Sequence, residues 1–132
     1  MPSRRFFLAL AIGAFVSACG GSGGGSSGPT AGTLNVTLAT PNSDDGAILV
    51  TVRGAPISAV HAAGGLVLYS RLSTNGDTAF VVVAGNVAAG VVATVDVPDL
   101  SKKSSYTGVV TQVAQRSTWA QRSTAGYSLA LN

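Results

Sequence analysis

Short runs in which every second residue is apolar constrain this chain most strongly, because a side-chain period of two is typical of half-buried β-strands. The alternation is clear in 34–38 and in 47–53, where Ile48, Val50 and Val52 share one phase. Valine and threonine crowd these runs, glycine recurs between them and glutamate is absent, all of which disfavours helices. We therefore expect an all-β domain.

Seven segments fit strands, with turn residues between them: 34–38, 47–53, 66–71, 78–84, 91–97, 106–114 and 127–131. The sequence Thr-Asn-Gly-Asp at 74–77 predicts a hairpin, since Asn-Gly readily adopts the positive φ angles of a type I′ turn. Only 57–63 and 113–122 are candidates for short helical turns. Six to eight short strands with regular turns predict an immunoglobulin-like antiparallel β-sandwich.

Two local features refine this prediction. The uninterrupted apolar run 80–84 predicts a central strand that is buried on both faces, or covered on one face by a loop. Gly90 and Gly108, near the starts of strands, are candidates for β-bulges.

Segments 46–52, 81–84 and 90–97 resemble the strand order of cohesin-type and related carbohydrate-binding sandwiches, in which a glycine opens an alternating strand. The resemblance covers about half of the domain and implies a sandwich of the surface-module kind. The chain is short for a cohesin and lacks the usual Tyr-Asp pair after the first long strand. Dockerin binding is therefore not carried over.

The amino-terminal segment has the order of a secretory signal peptide. Arg4 and Arg5 form a basic head, 6–16 is an apolar run well short of the ~20 residues that span a bilayer, and two small residues precede Cys19. The sequence Val-Ser-Ala-Cys at 16–19 resembles the lipobox of bacterial lipoproteins. That resemblance implies cleavage before Cys19, a diacylglyceryl thioether on it and, in many bacteria, a further acyl chain such as palmitate on the new amino terminus.

The export route and the membrane follow from neighbouring residues. Segment 3–9 resembles the twin-arginine motif but departs from it at Ala9, so ordinary secretion stays open. Gly20 is not the aspartate that resembles an inner-membrane retention signal, which favours the outer membrane if the source has two. We expect an exported protein, anchored through Cys19, whose domain faces the periplasm or the cell surface.

The chain thus divides into a signal peptide (1–18), a lipidated cysteine with a Gly/Ser linker (19–32) and a β-sandwich domain (33–132). A flexible linker of this composition spans about 20 Å. Matches to G-x-S-x-G and G-x-G-x-x-G occur inside it, but neither has the strand and helix that would give it a meaning.

The charge balance excludes nucleic acid as a partner. The net charge of +3 includes Arg4 and Arg5 of the signal peptide; without them six basic residues face five aspartates, which leaves about +1. Cys19 is the only cysteine, so the exported domain has no disulfide.

The residues available for catalysis are few. His61 is the only histidine and has apolar neighbours, which predicts an edge or core-rim position. An enzyme would need His61 within hydrogen-bond reach of an aspartate and a serine in a pocket. Asp96 and Asp99 flank a proline, a typical turn context. We expect no enzyme, no cofactor and no transition-metal site.

A weak calcium site is the remaining metal hypothesis. Asn42, Asp44 and Asp45 precede Gly46 and resemble the start of an oxygen-rich loop, but Val52 stands where an EF-hand would have its bidentate acid. The alternative, a plain Asx-turn, stays open.

The candidate contact residues lie in a repeated segment. Gln-Arg-Ser-Thr begins at 115 and again at 121, on either side of Trp119, the only tryptophan. In an extended segment Arg116 and Arg122 would share a face and Trp119 would take the other, whereas in a loop all three could converge. An exposed Trp119 could stack on a sugar or anchor a protein. The alternative is that it caps the core while the arginines solvate the loop.

These observations predict a lipid-anchored, non-enzymatic module that binds a protein or a glycan. The alternative is a purely structural envelope lipoprotein. The first requires Trp119 exposed beside a groove or flat aromatic patch; the second requires it buried, with no apolar patch above a few hundred Å².

Overall fold

The computed structural model describes residues 27–132; the predictions for the signal peptide, Cys19 and most of the linker lie outside these residues. Nine strands and one 3₁₀ helix (Leu100–Ser105) form the described part. The strands are β1 (Gly32–Ala39), β2 (Asp45–Arg53), β3 (Ala59–Ala62), β4 (Val67–Leu72), β5 (Thr78–Val87), β6 (Gly90–Val97), β7 (Thr107–Gln115), β8 (Gln121–Arg122) and β9 (Ser128–Leu131). Across 27–132, no helix is long and apolar enough to cross a bilayer.

The strands form two antiparallel sheets that pack face to face. One sheet has the order β3-β6-β1-β9 and the other the order β4-β5-β2-β7-β8. Their facing sides supply one continuous core, in which the largest fully buried side chains are Leu34, Val36, Leu38, Ile48, Val50, Val52, Val81, Val83, Val87, Val92, Val95 and Val97. The predicted all-β sandwich is confirmed, with alternate residues of each long strand turned inward.

The prediction of a helical turn within 57–63 is wrong, whereas 113–122 contains a single one, closed by the hydrogen bond from the Trp119 amide to the Gln115 carbonyl oxygen. Residues 59–62 form edge strand β3, which pairs with β6 from Ala59 opposite Asp96 to Ala62 opposite Ala93. Residues 113–122 contain the end of β7, a tight turn and the two-residue strand β8. Hydrogen bonds to a neighbouring strand outweigh the weak helix preference of such short alanine-containing segments.

The run 80–84 is not buried on both faces. Val81 and Val83 point into the core, but Phe80 is 42% exposed and Val82 37% exposed. Strand β5 is central within its sheet, between β4 and β2, yet the other sheet covers only one side of it. The apolar run therefore reflects an apolar outer surface rather than double burial.

The predicted hairpin between β4 and β5 is confirmed, but its turn is of another kind. The Ser73 amide donates to the Thr78 carbonyl oxygen at 2.8 Å, so four residues rather than two connect the strands. Gly76 has φ +72°, and within 27–132 the only non-glycine residue with positive φ is Trp119. Asn75 therefore does not take the left-handed conformation that a type I′ turn requires.

Neither candidate glycine lies at a bulge. Gly108 lies against β9, where an added Cβ would stand 3.1 Å from Leu129 and Leu131 side-chain atoms, and the irregularity in β7 occurs at Thr111. Gly90 begins β6 with φ +123°, whereas the β1–β6 register shifts two residues later. Gly108 is explained by the close approach of β9, and Gly90 by the positive φ at the start of β6.

Candidate binding surface

The outer face of the five-stranded sheet carries an apolar surface that no other part of residues 27–132 covers. Because Ile48, Val50 and Val52 of β2 point into the core, Leu49 and Thr51 between them point outward. The strand register, with the irregularity of β7 at Thr111, places six further side chains of β4, β5 and β7 beside them. We call this set the outer face: Leu49, Thr51, Tyr69, Arg71, Phe80, Val82, Val109 and Gln112.

Strand register arranges the outer face in two rows that cross four strands. The first row consists of Tyr69, Val82, Leu49 and Gln112, and the second of Arg71, Phe80, Thr51 and Val109. Cross-strand neighbours of this kind lie close enough for their side chains to touch. The rows therefore form one contiguous surface rather than scattered apolar residues.

Several members of the outer face are well exposed. Tyr69 is 70% exposed and Val109 48% exposed. The Arg71 guanidinium lies 5.7 Å from the centre of the Phe80 ring, which is cation–π range. Arg71 is the one charged member, so the surface presents aromatic and aliphatic groups with little charge. Exposed patches of this kind mark interaction sites.

A shallow hollow of about 240 Å³ adjoins the outer face between β2, β7 and β8. The hollow is lined by the aliphatic side chains of Ala47, Leu49 and Ala114 and by two amide side chains, those of Gln112 and Gln121. The hollow therefore offers apolar contact together with directional hydrogen-bonding groups.

Trp119 lies in the turn between β7 and β8 and is 61% exposed. Its amide donates to the Gln115 carbonyl oxygen at 2.8 Å, and its φ of +58° belongs to the left-handed region. The alternative that Trp119 caps the core is wrong, because the side chain faces water. Gln121, two residues further on, lines the hollow.

Arg122 is not free to contact a ligand. Its Nη1 atom donates to Asp44 Oδ1 at 2.8 Å and to Asp45 Oδ1 at 3.1 Å, and its side chain is only 20% exposed. The hydrogen bond with Asp44 is also the main reason that the pKa of Arg122 is raised above its ordinary value. Its assignment as a contact residue is therefore corrected: Arg122 joins β8 to the start of β2.

Arg116 is likewise engaged within the chain. Its Nη1 atom donates to Asn86 Oδ1, and its amide donates to the Asp44 carbonyl oxygen at 2.7 Å. Arg116, Trp119 and Arg122 therefore do not alternate along one extended strand, because residues 116–120 form the turn between β7 and β8. Arg116 and Trp119 are both exposed, but of the two only the Arg116 side chain is hydrogen-bonded to the protein.

The acidic pair at the start of β2 is hydrogen-bonded by the protein's own side chains. Hydrogen bonds from Arg122 and then from Gln115 hold the pKa of Asp44 below its ordinary value. Asp45 is fully buried and accepts hydrogen bonds from Arg122, from the Tyr127 hydroxyl at 2.8 Å and from the Thr40 hydroxyl at 2.8 Å.

This arrangement bears on the calcium hypothesis. The Arg122 guanidinium bridges the two carboxylates, and the Asn42 amide donates to the Tyr127 hydroxyl. Across residues 27–132, no three His, Cys, Asp or Glu side chains cluster as metal ligands. The cluster acts as a structural joint between β2, β8 and β9.

His61 has the aspartate that a catalytic histidine needs but not the nucleophile. Its Nε2 atom lies 2.8 Å from Asp96 Oδ2, and the Thr33 hydroxyl donates to the other oxygen of Asp96. In a catalytic triad the histidine lies between the nucleophile and the aspartate. Here the aspartate, Asp96, lies between the histidine and the Thr33 hydroxyl. The His61 side chain is 58% exposed and lies on edge strand β3. The two hydrogen bonds, that from His61 first, lower the pKa of Asp96.

Sequence reasoning missed the outer face, although the signal was present. The continuous run 80–84 has apolar residues in both phases of the strand, and this indicates either double burial or an apolar exposed face. Only the sheet order decides between these.

No model of a known protein family matches the chain, and no curated protein or solved structure matches it.

Proposed function

We propose that this protein is a lipid-anchored, non-enzymatic binding module of the bacterial cell envelope, and that its outer face engages a protein partner. The observation that carries the proposal is the exposed, nearly uncharged outer face, with Tyr69 and Phe80 beside aliphatic side chains. A domain without a partner rarely leaves such a surface in water, because it favours aggregation. This consideration supports binding over a purely structural role.

The chemistry of the outer face favours protein over glycan. Aliphatic and aromatic groups dominate it, and among its eight residues only Thr51 and Gln112 supply uncharged side-chain amide or hydroxyl groups beside the Tyr69 phenol. A glycan presents many hydroxyl groups, each of which loses free energy when it is desolvated without a hydrogen bond. An apolar protein surface has no such requirement and gains from the contact.

Glycan binding remains the second candidate, at a different place. The hollow beside the outer face brings together the amides of Gln112 and Gln121, and exposed Trp119 lies in the adjacent turn. An amphipathic ring next to amide groups suits a sugar, which has an apolar face and polar edges.

The non-enzymatic part of the proposal is supported by the surroundings of the single histidine. His61 is paired with Asp96 on an exposed sheet surface, and the adjacent hydroxyl of Thr33 donates to the aspartate. A general base needs to reach the proton that it abstracts, and here no serine or threonine hydroxyl of residues 27–132 is bonded to the imidazole.

Site-specific photocrosslinking in whole cells tests the binding surface. A benzoylphenylalanine at Val109, on the outer face, is expected to give a discrete protein adduct on illumination. The matched control is Val91, which is similarly exposed (44%) but lies on strand β6 of the other sheet. Equal adducts from both positions, or none from Val109, would contradict the proposal. Heterogeneous adducts that glycosidases shorten would favour the glycan candidate.

The anchor is tested separately. Replacing Cys19 by alanine is expected to abolish incorporation of labelled fatty acid and to release the protein from the membrane fraction. Ser17→Ala, which keeps a small residue in the lipobox, is the control and is expected to retain both. Acyl labelling of Cys19→Ala, or its stable retention in membranes, would contradict lipidation at this residue.

A further inference from the structure

Strand β4 (Val67–Leu72) is an edge of the five-stranded sheet, and within residues 27–132 it pairs only with β5. The Ser73–Thr78 hydrogen bond fixes which of its backbone groups face β5. Since hydrogen-bonded pairs alternate along an antiparallel ladder, the odd-numbered residues of β4 bond to β5. The amide and carbonyl groups of Leu68, Ser70 and Leu72 therefore point away from the sheet and are open.

This edge lacks the usual protection against strand pairing. Edge strands are generally kept apart by lysines, prolines, bulges or very short length. Strand β4 has six residues, contains neither lysine nor proline, and runs in uninterrupted register with β5. Its one charged residue, Arg71, lies over the Phe80 ring on the outer face. The edge is thus ready to accept another strand.

We propose that β4 pairs in antiparallel fashion with β4 of a second copy of this chain, across a two-fold axis at Ser70. The two five-stranded sheets then become one ten-stranded sheet. This inference goes beyond the proposed function, because it concerns self-association and needs no outside ligand. It uses the free edge of β4; of the outer face, only Tyr69 and Arg71, which lie at that edge, meet the partner subunit.

The register of this pairing is self-complementary. Ser70 stands opposite Ser70 of the partner subunit, and Leu68 opposite Leu72 of the partner subunit, so the open groups of both edges form about six ladder hydrogen bonds. Tyr69 stands opposite the partner's Arg71 in a non-hydrogen-bonded pair, where side chains come closest. A guanidinium beside a tyrosine ring is favourable, and the two arginines do not oppose each other.

The fit of β4 to itself in this register is the reason that we propose a second copy of the chain as the partner strand. A single interface that satisfies itself must place each residue opposite a suitable residue of the same strand. In β4 the apolar pair falls on the inner side, and the aromatic–cation pair falls on the outer side. An unrelated strand would also find open backbone groups, but nothing in β4 selects its side chains.

Disulfide trapping of the full chain in its own membranes tests the proposal. Two Ser70→Cys chains would have Cα atoms about 5.5 Å apart, within the range that a disulfide bridges. Mild oxidation with copper phenanthroline is therefore expected to give a covalent dimer, in which mass spectrometry finds two copies of the β4 peptide joined through the introduced thiols. Asn35→Cys is the control, because Asn35 is exposed on β1, which is paired on both sides. The unsubstituted chain, oxidised in the same way, shows how much covalent dimer arises from Cys19 alone.

A proline variant provides an independent measurement. Ser70→Pro removes an amide that points away from β5, so β4 stays paired within its own sheet. Two ladder hydrogen bonds are lost per dimer, and the dissociation constant measured by sedimentation of the full chain in detergent is expected to rise about 30-fold. Ser70→Ala keeps the amide and is expected to match the unsubstituted chain.

Each outcome decides the matter. A dimer that Ser70→Pro weakens and Ser70→Cys traps supports the pairing. A Ser70→Cys chain that stays monomeric while a maleimide labels its thiol overturns it, and so does equal trapping of Asn35→Cys. If Ser70→Pro proves unfolded by circular dichroism, the trapping experiment alone decides.

Discussion

Asp45 provides the most demanding test of how this sandwich holds its last strands. Its carboxylate has no exposed surface and accepts hydrogen bonds from Thr40, Arg122 and Tyr127, which come from the β1–β2 connection, β8 and the start of the β9 segment. Replacing Asp45 by alanine removes the common acceptor. The Tyr127 hydroxyl then loses its acceptor in a part-buried position, whereas the Thr40 hydroxyl exchanges a charged acceptor for the Asn42 carbonyl oxygen, 3.2 Å away, and Arg122 retains Asp44.

The expected magnitude follows from these three contacts. A hydrogen bond to a charged group contributes about 1.5–3 kcal/mol, so losing the two hydroxyl bonds alone removes about 3–6 kcal/mol. Relief of the carboxylate's desolvation offsets part of this. We therefore expect Asp45→Ala to lower the free energy of unfolding by about 3 kcal/mol, which for a domain of this size lowers Tm by roughly 12–24 °C.

The isosteric variant separates charge from hydrogen bonding. Asp45→Asn keeps one oxygen for Tyr127 and Arg122 and turns an amide toward the Thr40 oxygen, so we expect a loss of about 1–2 kcal/mol. Urea unfolding, followed by circular dichroism, measures both variants at pH 7. Tyr127→Phe completes a double-mutant cycle, in which a coupling energy of at least about 0.5 kcal/mol with Asp45 is expected.

Two results would refute this reasoning. If Asp45→Ala lowered the free energy of unfolding by less than about 1 kcal/mol, the buried carboxylate would not be the joint described above. If Tyr127→Phe and Asp45→Ala were additive, the Tyr127 hydroxyl would not act through Asp45. Asp96→Ala serves as the control, because Asp96 is an exposed aspartate whose ion pair contributes little.

Three further predictions concern single positions. Trp119→Gly is expected to be more stable than Trp119→Ala by about 1 kcal/mol, since φ there is +58°, and acrylamide should readily quench the Trp119 fluorescence of the unsubstituted chain. Gly54→Ala should lower the free energy of unfolding by roughly 2–4 kcal/mol, because φ is +139° and a Cβ would overlap the Ser105 carbonyl, whereas Gly64→Ala, in open space, should be close to neutral. The pKa of Asp44 is depressed in the folded state, so the stabilisation that Asp44 provides is present above its ordinary pKa of 3.8 and is lost as the pH falls through its folded pKa. The difference in stability between the unsubstituted chain and Asp44→Asn should therefore shrink below about pH 4. A constant difference down to about pH 2 would contradict the pairing of Asp44 with Arg122.

The two surfaces inferred above are compatible with each other. The proposed dimer contact uses the edge of β4 and involves only Tyr69 and Arg71 of the outer face, so the outer-face residues of β5, β2 and β7 stay open to a partner protein. In the dimer the two outer faces become continuous across the ten-stranded sheet. A dimer of this kind would present two partner sites together, which raises the effective affinity for a repeated partner.

The sequence by itself determined seven of the nine strands in residues 27–132 and the direction in which most of their side chains point. The alternation in 47–53 predicts that Ile48, Val50 and Val52 are buried, and they are. This information is local, because successive side chains on a strand point to opposite faces whatever the strand's neighbours are. The hairpin at 73–78 was predictable for the same reason, since its turn residues are adjacent in the chain.

Only the tertiary structure decided which apolar residues stay exposed and which charges are paired. The burial of Phe80 and Val82 depends on whether a second sheet covers that side of β5, and no residue within the run records this. Arg122 finds Asp44 across 78 positions of sequence, so the repeat around Trp119 gave no sign that its second arginine is a structural residue. Strands β3 and β8 likewise exist because β6 and β7 offer them hydrogen bonds, and their few residues carry too little pattern to predict a strand.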